Sequence, residues 1–159
     1  MKNDQAKRPS IDYNEEQINL AVEIYDKVER KLDFLLYIQE QRDTKLSLIL
    51  IETTIKNFEK YIIEGKRDTD LFITVDKEKG IYLVVCQETD VHEGYQFLER
   101  VMKPFHEMEH VCSCAALLSI KAYNSMTTKK ILFRLLDDFI KLTSQPKEWK
   151  KCQISHKSI

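Results

Sequence analysis

His106-Glu-Met-Glu-His110 spells the His-Glu-x-x-His arrangement. On a helix this spacing puts two imidazoles one turn apart, where they can hold Zn²⁺ with Glu107 as general base. The flanking residues argue against that chemistry. Pro104 sits just upstream, strand-like Val111–Leu118 follows at once, and charged Glu109 takes a position that such a helix turns to its core. No third ligand follows at a peptidase spacing, so a zinc metallopeptidase stays only as a remote alternative. His110, Cys112 and Cys114 alternate, and on a strand they would share a face. They would lie too far apart for one ion without bending, so the two cysteines read better as small residues packed under a helix. With only Gly65, Gly80 and Gly94, the chain has no Gly-rich phosphate loop. No metal or other cofactor is expected.

The elements carrying these residues follow from periodicity and punctuation. Asn14, with Gln17 three residues on, forms a capping box and opens a helix to about Arg42. Ile18, Ala21, Tyr25, Val28, Leu32 and Leu35 fall at alternating three- and four-residue steps, a heptad seam. Leu20, Ile24, Leu36 and Ile38 widen it. Two uses of that stripe are open: packing on the chain's own sheet, or pairing of the helix at 14–42 with another subunit. Leu46-Ser-Leu-Ile-Leu-Ile51 reads as a buried strand, followed by a short helix over 54–64. Hairpin strands are expected over 70–75 and 80–87, around a charged turn. The continuously apolar Ile81–Cys86 fits a central strand covered on both faces. Asp90 caps a helix over 91–102. A fourth strand spans 111–122, and Ser125 or Thr127 caps a last helix to 142. Residues 1–12 read as a disordered lead and 13–145 as one domain. The tail at 146–159 reads as a solvated terminus with a possible edge strand near 152–155.

Bulk properties narrow the function classes. The chain has 159 residues, 32% charged and 43% hydrophobic, which suits one domain with a sizeable core. Its 25 basic and 26 acidic residues leave a net charge of −1, so no global basic excess points to nucleic acid or anionic lipid. Residues 1–10 hold no apolar run of the signal-peptide kind. The longest apolar stretch, Leu46–Ile51, is too short to span a bilayer. The expectation is a cytoplasmic protein whose Cys86, Cys112, Cys114 and Cys152 are reduced.

The order helix, β, α, β, β, α, β, α is a split βαβ arrangement. It predicts an α+β fold: a ferredoxin-like, nucleotide-cyclase-like antiparallel sheet of about four or five strands, packed by helices. Across residues 20–145 the chain resembles the GGDEF family of diguanylate cyclase domains. Leu46-Ser-Leu-Ile-Leu-Ile-Glu52 resembles that family's first strand, with Glu52 where a metal-binding Asp stands. Ile81–Thr89 resembles the strand after the signature, Gln96-Phe-Leu-Glu-Arg-Val101 the following helix, and Ser113–Leu118 with Leu132–Phe139 the fourth strand and last helix. The signature itself is missing. Val75-Asp-Lys-Glu-Lys-Gly80 replaces Gly-Gly-(Asp or Glu)-Glu-Phe, and Gly80 falls where a metal-holding carboxylate belongs. Thr54 replaces a second Asp, and the Asn and Asp that recognise guanine after the first strand are absent, as is an Asp-x-Leu-Thr motif. One carboxylate cannot organise two-metal phosphoryl chemistry, so the expectation is no enzyme.

One feature of the family persists. Arg67-Asp-Thr-Asp70 matches the Arg-x-x-Asp of its inhibitory site for cyclic di-GMP, and Arg100 matches a second arginine of that site. The resemblance thus implies ligand binding by Arg67, Asp70 and Arg100. A guanidinium can grip phosphate or a guanine edge bidentately, and a carboxylate can accept from guanine N–H groups. The plainer alternative is an Arg67–Asp70 pair that merely solvates a turn. The sequence therefore predicts a catalytically inactive regulatory domain that binds cyclic di-GMP, a protein partner, or both. Its main rival is a nucleotide-independent interaction module assembling through the first helix.

Overall fold

The computed structural model describes residues 12–108, 111–121, 126–144 and 152–159, with the strand at 152–158 described by its backbone. The first helix, α1 (Glu15–Arg42), begins where the capping box places it: Asn14 Oδ1 accepts from the Gln17 amide and Gln17 Oε1 from the Asn14 amide. It ends on Asp43, which takes the left-handed conformation (φ 51°) and returns its amide to the last turn. Then come β1 (Leu46–Thr53), α2 (Phe58–Gly65), β2 (Leu71–Asp76), β3 (Ile81–Gln87) and α3 (Val91–Met102). A 3₁₀ turn (Lys103–Phe105), β4 (Ser113–Ile120), α4 (Thr128–Thr143) and β5 (Cys152–Ser158) complete the order. Thr127, one of the two caps expected, starts α4; Ser125 lies outside the described residues.

The sheet order is β2-β3-β1-β4-β5. β1 is antiparallel to β3 on one side and to β4 on the other, and β2 is antiparallel to β3. This is the split βαβ topology of the ferredoxin-like class, and the α+β expectation holds. The fifth strand departs from it by pairing parallel to β4, residue for residue from Ser113↔Cys152 to Ser119↔Ser158. The reason is connectivity: a helix between two neighbouring strands returns the chain to its starting end, which makes them parallel. Another departure concerns α2, which starts at Phe58 rather than near Thr54. Thr54 bonds to Cys112 through its amide and hydroxyl, and Asn57 is left-handed at φ 58°.

Strand alternation sorts the core onto two faces. Leu46, Leu48, Leu50, Leu83 and Val85 meet α1 and α4 through Ile24, Val28, Leu32, Leu135 and Phe139. Ile49, Ile51, Tyr82 and Val84 meet α2 and α3 through Phe58, Ile62, Phe97 and Leu98. Gly94 lets α3 approach β4 closely, since a Cβ there would come 2.9 Å from Leu117 Cδ1. The heptad seam is thus used by the chain's own sheet. Val28 and Leu32 are fully buried, and Ala21, Tyr25 and Leu35 pack beside them. The seam's first residue, Ile18, is about half exposed. What α1 shows to solvent is Ile18, Val22, Phe34 and Tyr37. No helix among the described residues is long and apolar enough to cross a membrane.

Candidate functional site

The sharpest polar construction lies where the chain leaves α2 and enters β2. Asp70 is buried, its side chain only 3% exposed, while that of Arg67 is 51% exposed. The Arg67 amide donates to Asp70 Oδ2 (2.9 Å) and Arg67 Nη2 donates to Asp70 Oδ1 (2.8 Å), with Nε reaching both oxygens at 3.3 Å. Arg67 Nη2 also donates to Thr89 Oγ1 (2.8 Å) and to the Gln87 carbonyl (2.5 Å). One guanidinium therefore ties the start of β2 to the end of β3. The Asp70 carboxylate, hydrogen-bonded to it, pushes the Arg67 pKa further up and keeps it charged. Nη1 makes no hydrogen bond among the described residues and forms the open edge of the corner. Below it, burial and then the nearby Asp70 push the Cys86 thiol up to about 12, so Cys86 is a protonated core residue.

The three residues singled out in the sequence therefore take different places. Arg67 and Asp70 meet, but Asp70 faces inward and acts on Arg67. Arg100 approaches the same loop from α3, donating through Nη2 to the Gly65 carbonyl (3.0 Å) and lying 5.5 Å from the Phe97 ring centroid. Sequence reasoning missed Gln87 and Thr89. A Thr just past a strand end, ahead of the helix-capping Asp90, was the available signal.

On the other side of β2, between it and α1, a groove of about 450 Å³ is lined by Arg30, Lys31, Phe34, Asp68, Asp70 and Gln87, among others. It shares Asp70 and Gln87 with the Arg67 corner. Gln87 Nε2 donates to the Thr69 carbonyl (2.8 Å), which fixes the amide.

The opposite end of the hairpin has a different character. The turn from Asp76 to Gly80 closes through Lys79 N to Asp76 Oδ1 (3.1 Å) and Gly80 N to the Lys77 carbonyl (3.2 Å). Gly80 sits at φ 71°, and its carbonyl accepts from the Thr53 amide (2.9 Å). A Cβ on residue 80 would lie 2.0 Å from the Thr53 carbonyl oxygen. No side chain fits there, let alone a carboxylate reaching a metal. Glu52 and Asp76 line a groove of about 700 Å³ with Glu15, Glu16, Glu23 and Lys79. Lys79 crosses it to Glu16 Oε2 (2.7 Å), so α1 is latched to the turn. Among the described residues no three Asp, Glu, His or Cys side chains converge to hold a metal ion. The Mg²⁺ that cyclase chemistry would need does not fit this turn.

Only part of the His-Glu-x-x-His segment lies within the described residues. Lys103–Phe105 is a 3₁₀ turn, and His106 and Glu107 lie in the turn after it, while Glu109 and His110 are outside the described residues. Pro104 sits at the start of that turn. Cys112 is partly exposed just ahead of β4, and Cys114 is buried in β4 opposite Glu52 of β1.

No family model matches the sequence, and no curated protein does either. Solved structures do. The active GGEEF domain of a diguanylate cyclase from Vibrio cholerae superposes with a TM-score of 0.62 at 17% identity, covering 84% of this chain and 97% of that one. The GGDEF domain of DgcB from Caulobacter crescentus, solved in complex with c-di-GMP, gives 0.57 at 8% identity, with 81% and 88% covered. Diguanylate cyclase SiaD from Pseudomonas aeruginosa, solved with its activator SiaC, gives 0.59 at 12% identity, with 79% and 57% covered. At these identities the likeness establishes the fold, which is GGDEF-like.

Proposed function

We propose that this GGDEF-like domain performs no cyclase chemistry and serves as a regulatory receptor for cyclic di-GMP, held at the Arg67 corner. The observation that carries the binding half is the Arg67 guanidinium. It is fixed by Asp70, Thr89 and the Gln87 carbonyl, yet its side chain is half exposed. A preorganised, permanently charged guanidinium with Nη1 uncommitted can donate to a phosphate or guanine acceptor and loses little freedom on binding. Arg100, exposed on the far side of the loop at Gly65, adds a second positive charge. Asp70 acts through Arg67. Solved neighbours of this fold hold cyclic di-GMP, which makes that ligand the first to try.

The absence of catalysis is supported at the other end of the hairpin. Five carboxylates line the groove against one lysine, residue 80 admits no side chain, and α1 is latched across the turn. A nucleoside triphosphate would meet like charge there. Two assays test the two halves. Incubation with GTP and Mg²⁺ is expected to yield no cyclic dinucleotide; turnover removed by Glu52→Gln would overturn the inactive reading. Titration calorimetry with cyclic di-GMP is expected to show binding that Arg67→Lys weakens, because lysine keeps the charge beside Asp70 but not the planar edge.

A second reading has its own observation. Phe34 and Tyr37 stack at 6.4 Å on the outer side of α1, 63% and 59% exposed, with Ile18 and Val22 further along the helix. One solved neighbour is bound to a protein activator. A protein partner on α1 would make the domain an interaction module, with or without nucleotide.

A further inference from the structure

The geometry points to Asp68, not Asp70, as the carboxylate that reads guanine, and to Phe34, Arg30 and Lys31 of α1 as the wall that holds the rest of the nucleotide. This rests on the proposed dinucleotide binding and specifies how the ligand sits.

Asp70 is unsuited to the reading role. Its side chain is 3% exposed, and both oxygens already accept from Arg67. Recognition of guanine needs a carboxylate that can receive the N1–H and N2–H pair of the base edge. Asp68 is exposed on the same loop, lines the groove, and makes no hydrogen bond or ion pair among the described residues. Phe34 of the same groove offers an exposed ring on which a base can stack. Arg30 and Lys31, one turn back on α1, are also exposed and without ion pairs among the described residues, and they suit the phosphates. The groove's 450 Å³ is in the range that small ligands occupy. Gln87 lines the groove and Arg67 grips its carbonyl, so the groove and the Arg67 corner share this residue as well as Asp70.

The arrangement also sets a preference. Adenine presents an acceptor at N1 where guanine presents a donor, so the Asp68 carboxylate oxygens pair with guanine and not with adenine N1. α1 would then be a wall of the site as well as a core helix.

The experiment is calorimetry of the whole chain with cyclic di-GMP and cyclic di-AMP, on wild type, Asp68→Ala, Phe34→Ala, Arg30→Ala and Arg67→Lys. The substituted groove residues are exposed, and unchanged thermal melts would show that the fold is kept. Expected is a loss of cyclic di-GMP affinity of about tenfold or more for both Asp68→Ala and Phe34→Ala. Asp68→Ala should also erase the preference over cyclic di-AMP. Weakening by Arg67→Lys with wild-type binding in Asp68→Ala and Phe34→Ala would overturn this inference and leave the receptor reading standing. No binding of cyclic di-GMP by the wild type would overturn both.

Discussion

Single residues decide which end of the hairpin can do what. Gly80 is held at φ 71° against the Thr53 carbonyl, so Gly80→Ala must shift the turn or β1. The expected cost is about 2 kcal/mol or more, read as a lower urea midpoint. Tyr13 anchors the chain ahead of α1, donating to Asp137 Oδ1 (3.3 Å) and stacking on Phe133. Burial, with Asp137 adding to it, raises the Tyr13 pKa from 10.0 to about 12. The folded protein thus holds this proton more tightly than the unfolded chain. Its stabilisation is full below pH 10 and is lost as pH rises toward about 12. Urea melts across that window should show wild type losing its advantage over Tyr13→Phe. At this scale the sequence put Arg67 and Asp70 side by side but could not show which faces inward. Three residues of spacing say nothing about burial. The fixed place of Arg67 depends on Thr89 and the Gln87 carbonyl, which only sheet pairing brings near.

At the scale of elements, local signals were readable wherever they close on themselves. The capping box at Asn14–Gln17 and the cap at Asp90 mark true helix starts, because each needs only residues three apart. The continuous apolar run Ile81–Cys86 is the covered strand it resembles. Non-local choices were less readable. The α1 stripe has the same pattern whether it meets its own chain or another subunit, and in the structure it packs on the sheet and on α4. The parallel pairing of β5 is set by the crossover through α4, not by its own residues. The use of α1 as a core helix yields a contrast. Leu32→Ala, at a fully buried position, should lower stability by about 2–4 kcal/mol. Val22→Ser, more than half exposed, should change it by no more than about 0.5 kcal/mol. Chemical denaturation of both variants checks this. Equal losses would mean that the outer face of α1 is covered too.

Over the whole molecule, the two ends of one hairpin are separated by chemistry. The turn end is acidic, closed by the Glu16–Lys79 latch and unable to seat a carboxylate at residue 80. The other end presents an arginine fixed in place, next to a groove with an exposed aromatic wall. The fold was legible because the order of elements survives without the signature residues. The site was legible only as a residue match, since its groove is made by α1, distant in sequence. The most direct measurement is titration calorimetry of the intact chain with cyclic di-GMP, beside Arg67→Lys. Saturable binding by the wild type, weakened about tenfold or more in the variant, is the predicted result. No heat from the wild type, or equal affinity in Arg67→Lys, would contradict the assignment of this corner as the ligand site.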